Sequence, residues 1–135
     1  MPDIEFRRPS CGWKKSAKKS ISGIALVNGK VISVEFSKSG TPEYPELKVM
    51  LDSEREGVIA WDFLDILFRP HSTQIGKDPK GLTKRISYNP EAKHPLVGMW
   101  EFKKTDVEAV LREIKQNPAL GEEWERAFRY LLAEN

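Results

Sequence analysis

The chain has 135 residues, 39% apolar and 31% charged, with a net charge of +2 at neutral pH. That length holds one domain and buries a core without metal or disulfide staples, and the composition excludes a disordered polymer. The single cysteine, Cys11, closes no internal disulfide, no apolar run approaches the roughly 20 residues that span a bilayer, and the start Met-Pro-Asp-Ile-Glu-Phe-Arg-Arg lacks the apolar stretch of a secretory signal, so a soluble, cytoplasmic protein away from membranes is expected.

The mild total hides a block pattern. Residues 1–40 hold eight Lys/Arg against three Asp/Glu, and residues 69–104 repeat that ratio. Residues 41–68 hold two against seven, and residues 105–135 four against seven. Two basic segments therefore alternate with two acidic ones, and a basic face attracts phosphate or an acidic partner.

Residues 1–20 read as a basic, flexible N-terminal arm, with Pro2, Pro9 and Gly12 and few apolar anchors. The remainder, 21–135, reads as a single α+β domain. Its clearest local signal is Asn28-Gly29 between the apolar runs Ile21–Val27 and Lys30–Ser37. Asn-Gly suits the two positive-φ positions of a type I′ turn, so these runs form a hairpin over about 21–37. The turn sets the register: Val27 faces Lys30, Ala25 faces Ile32, Gly23 faces Val34 and Ile21 faces Phe36. A loop follows at 38–46, then a strand over Leu47–Asp52, a turn at Ser53–Gly57 and a strand over Val58–Trp61. Asp62 then caps a short helix ending at Phe68, before Arg69-Pro70. Residues 69–98 carry seven breakers (Pro70, Gly76, Pro79, Gly81, Pro90, Pro95 and Gly98) and read as irregular, with short strands at Leu82–Tyr88 and Met99–Phe102.

The C-terminal part has helical periodicity. Thr105 and Glu108 have capping-box spacing, and Val107, Val110, Leu111 and Ile114 share one face. Asn117-Pro118 ends this helix, placed at about 106–116. A second helix, at about 119–133, carries Leu120, Trp124, Ala127, Phe128, Leu131 and Leu132. The predicted architecture is an antiparallel sheet built from hairpins followed by a helical hairpin packed on its apolar face.

Among chemistries, a metal site is excluded by ligand count: one Cys, two His and scattered carboxylates do not make one, and Asp52, Glu54 and Glu56 lie in a turn around Arg55. Gly76–Gly81 lacks the spacing of a phosphate loop. No cofactor is expected. The enzyme alternative is a small metal-independent ribonuclease, with His71 and His94 as general acid and base. Nucleic-acid binding without catalysis has more behind it. Trp13, Lys14, Lys15, Lys18 and Lys19 lie in the first basic segment; Lys77, Lys80, Lys84, Arg85, Tyr88, Lys103 and Lys104 lie in the second. Lysines neutralise phosphates and interleaved aromatics stack on unpaired bases, so a single strand of DNA or RNA is the expected partner. The other class is a protein-interaction module, an inhibitor or adaptor (a viral or mobile-element protein included), monomeric or dimeric through the C-terminal helices should Trp124, Phe128 and Leu132 lack cover from the sheet.

Overall fold

A computed structural model describes residues 3–13, 19–73, 86–88, 91 and 95–133. Strands β1 (Ile4–Trp13), β2 (Lys19–Val27), β3 (Lys30–Gly40) and β4 (Pro45–Leu51) come first in the chain. Helix α1 (Arg55–Phe68) follows, then a 3₁₀ turn at Arg69–His71 and the short strands β5 (Ser72–Thr73) and β6 (Ile86–Tyr88). Strand β7 (Leu96–Phe102) leads into the helices α2 (Val107–Gln116) and α3 (Gly121–Leu132). The sheet runs β1-β2-β3-β4-β7, antiparallel throughout, with β5 and β6 both on the far edge of β7. The protein is an α+β fold in which hairpins build the sheet and a helical hairpin closes it.

The Asn28-Gly29 turn has the expected physics. Asn28 has φ 51° and Gly29 φ 85°, and all four predicted cross-strand pairs are present. Each strand alternates in burial: Ile32, Val34 and Phe36 of β3 and Leu47, Val49 and Leu51 of β4 are buried, while their neighbours are half-exposed or exposed. All three helices therefore cover one face, and one continuous apolar cluster fills the space between.

Three expectations are corrected. Residues 4–13 are not an arm but strand β1. One aromatic ties them down: Phe6 is buried and meets the rings of Phe63 and Trp124. The edge is further pinned where Phe6 N–H donates to Ala119 O at 2.9 Å and Asn28 N–H to Asp3 O at 2.7 Å. A bulge between Arg7 and Ser10, with Arg8 at φ 58°, and Pro9 then interrupt this edge and blunt it against further pairing. Second, Val58–Trp61 is helix, not strand. Gly57, Ala60, Trp61, Leu64, Asp65 and Phe68 are buried at helical spacing, so the apolar period outweighs the β-branched Val58 and Ile59. Third, Thr105 and Glu108 form no capping box; a 3₁₀ turn at Lys104–Asp106 leads into α2 without a side-chain cap. The predicted stop holds: α2 ends at Gln116, and Asn117, before Pro118, is extended. Its Oδ1 accepts Ala119 N–H at 2.9 Å, which starts the connection to α3.

Two glycines make room for tryptophans. A Cβ on Gly98 would lie 2.0 Å from the Trp61 ring, and one on Gly23 2.6 Å from that of Trp124. Trp61 stacks on Trp100, centroids 4.5 Å apart and nearly parallel. The Trp100 indole N–H donates to Asp65 Oδ1 at 2.8 Å, and Arg69 pairs with the other carboxylate oxygen. Asp65 is the buried charged residue among those described, and these two partners satisfy it.

Candidate nucleic-acid interface

Antiparallel order brings four chain segments to one end of the sheet. There β2 begins, β3 ends, β4 begins and β7 ends. Lys19 stands one residue beyond the Ser20–Ser37 pair, Lys38 faces Leu47, and Lys103 and Lys104 follow β7 directly. Lysines from both basic blocks thus meet here. Lys38 and Lys104 line a common cleft of about 190 Å³, with Pro42, Pro45, Glu108 and Leu132. A second cleft beside it is lined by Glu43, Tyr44, Lys103, Lys104 and Thr105, so Lys104 belongs to both.

Electrostatics at this end are those of crowded cations. Burial, then the nearby ammonium of Lys19, pushes the Lys38 amine below its ordinary value. Of the acids lining the clefts, Glu108 is held by Arg129 at 2.9 Å, which leaves Glu43 as the carboxylate facing Lys103 and Lys104. Glu46 and Glu101, paired across β4 and β7, lie on the opposite face of the sheet.

The turn that joins β3 to β4 is built tightly. Gly40 has φ +79°, and a Cβ there would fall 2.5 Å from Tyr44 O, so both conformation and space demand glycine. Thr41 N–H donates to Tyr44 O, Tyr44 N–H donates to Thr41 O and to its Oγ1, and Lys104 N–H donates to Glu43 O at 3.0 Å. The Tyr44 side chain nevertheless remains 48% exposed.

The expected site residues fall into three groups. Lys103 and Lys104 are exposed at this end. Lys19 is there too, but its ammonium donates to Tyr130 O at 3.2 Å and lies 4.7 Å from the centre of that ring, so it caps the end of α3. Trp13 pairs with Lys19 across β1 and β2, and Tyr88 pairs with Leu96 across β6 and β7. Lys14, Lys15, Lys18, Lys77, Lys80, Lys84, Arg85 and His94 lie outside the described residues. His71 is in the 3₁₀ turn after α1, its Nε2 3.0 Å from the Glu113 carboxylate of α2. That nitrogen is buried and has no hydrogen-bond partner, and the 3₁₀ turn that carries it packs against α2. Trp124, Phe128 and Leu132 are all buried under the sheet, and the condition for a dimer face on the C-terminal helices is not met. Among the described residues no group of His, Cys, Asp and Glu could hold a metal, and no helix is long and apolar enough to cross a membrane.

Sequence reasoning missed Lys38 and Tyr44. Lys38 was legible: the alternation of Ile32, Val34 and Phe36 continues to it and puts it on the helix-covered face at the sheet's end. Tyr44 sits in an acidic block, and only the fold carries it beside the lysines. No protein-family model matches the chain, and no curated protein or solved structure is similar to it.

Proposed function

We propose that the protein binds nucleic acid, single strands in preference to duplex, through this end of the sheet, and that it does so without catalysis. The observation that carries the reading is the meeting of Lys38, Lys103 and Lys104, from two separate basic blocks, around adjoining clefts. A cleft of about 190 Å³ lined by two lysines has room for a phosphate.

Binding of a labelled oligonucleotide, followed by anisotropy across a salt series, tests this. Each phosphate neutralised on a single strand contributes about −0.7 to the slope of log K against log salt, so these three lysines supply a slope of about −2. The triple variant Lys38→Ala, Lys103→Ala, Lys104→Ala should lower the slope by that amount. An absence of binding at low salt overturns the reading.

A second reading, a protein-docking helix, has one observation in its favour. Ile66 is 76% exposed on α1, on the same side as the exposed Val58 and Asp62. Its self-association form predicts a dimer in sedimentation that Ile66→Glu disperses; a monomer at all concentrations removes that form.

A further inference from the structure

We infer that Tyr44 is a preformed stacking platform for one unpaired base, whose flanking phosphates sit at Lys103 and in the Lys38–Lys104 cleft. The inference rests on the nucleic-acid reading and names the residue that would confer its preference for unpaired strands.

The argument is one of rigidity without burial. A large aromatic ring is ordinarily driven into the core, and the other aromatic rings of the described core are covered. Here the backbone around Tyr44 is fixed on both sides, by the positive-φ Gly40 and by the buried Pro45. Three hydrogen bonds close the turn upon itself and a fourth ties it to Lys104. None of the four uses the phenol ring, so the turn holds its shape whatever the ring does. With the backbone fixed, only the two side-chain torsions of the ring remain to be ordered when a base settles on it, and such preorganisation favours binding.

Position supplies the second half. Tyr44 lines the same cleft as Lys103 and Lys104, and Lys104 also lines the neighbouring cleft with Lys38. A base and its phosphates call for those elements together, a flat apolar face with cations close by. A base locked in a duplex presents its edges rather than its faces, so a stacking platform selects unpaired strands.

The experiment compares a thymidine decamer with an abasic decamer of the same backbone length, for wild type, Tyr44→Phe and Tyr44→Ala. Wild type should bind the thymidine decamer about tenfold more tightly than the abasic one, as a single stacked base would give. Tyr44→Phe should keep that ratio and Tyr44→Ala should bring it to one, while affinity for the abasic strand stays unchanged in both. Equal weakening on both strands, or an unchanged ratio in Tyr44→Ala, overturns the platform and leaves the lysine reading standing. Failure of wild type to bind either strand overturns the lysine reading itself. Circular dichroism of Tyr44→Ala should match wild type, because the turn's hydrogen bonds are retained.

Discussion

Trp100 and Tyr44 are both aromatic, both lie near lysines in the chain or in space, and have opposite fates. Trp100, three residues before Lys103, is fully buried, stacked on Trp61 and bonded to Asp65. Tyr44, in an acidic stretch, stands exposed beside Lys103 and Lys104. Adjacency of aromatics and lysines along a chain therefore says little about a binding surface. Strand parity decides for Trp100, which faces inward opposite Leu47. Turn geometry decides for Tyr44.

On the proposed function, the comparison implies a clean division of labour, in which interior changes cost stability and changes at the sheet's end cost binding. The largest expected effect is Gly98→Ala. Its methyl would enter the Trp61 ring, and overpacking of that kind costs about 3 kcal/mol, read as a lowered denaturant midpoint. Trp100→Phe comes next, at about 2 kcal/mol, because Asp65 loses its buried donor. In both variants the folded fraction should bind oligonucleotide as wild type does; a loss of binding by folded Trp100→Phe would break the division.

Smaller effects sharpen it. Lys38→Met should weaken binding by removing one of the two cations that line the common cleft, and an unchanged affinity across the salt series would contradict a role for Lys38 there. Glu43→Gln should strengthen binding about two- to threefold at low salt, by removing the carboxylate that faces the two cations. The smallest effect is at the other end of the sheet. Glu56 is held below its ordinary value of 4.5 by Ser53 and Lys30. A depressed folded-state value adds stability above about pH 4.5 that is lost as pH falls further, so Glu56→Gln should flatten the acid limb of the stability curve and leave binding untouched.

Much of the fold was legible because its signals are local. The Asn28-Gly29 turn fixes φ at two residues and so the register of β2 and β3, and the period of α2 and α3 names the faces they bury. What escaped depends on contacts distant in the chain. Strand β1 is held by Phe6 against Phe63 and Trp124, over fifty residues away, and no pattern within residues 1–20 announces it. Helix α1 was split because Val58 and Ile59 favour strands one by one, whereas the ring of Trp61 over Gly98 fixes the segment as helix. The candidate site divides the same way: Lys103 and Lys104 were readable as a basic pair, but their neighbours Lys38 and Tyr44 reach them only through the pairing of β3, β4 and β7.

The glycine beneath each indole sets a rule for change in this molecule. Position 98 can accept a side chain only if position 61 surrenders volume in the same step, whereas at position 23 a slimmer residue at 124 would not suffice, because the Arg7 carbonyl oxygen also lies 2.8 Å from the added carbon. Diverging copies of the chain should therefore alter positions 61 and 98 as a couple and keep glycine at 23, and a library that randomises all four together should return them in just that pattern.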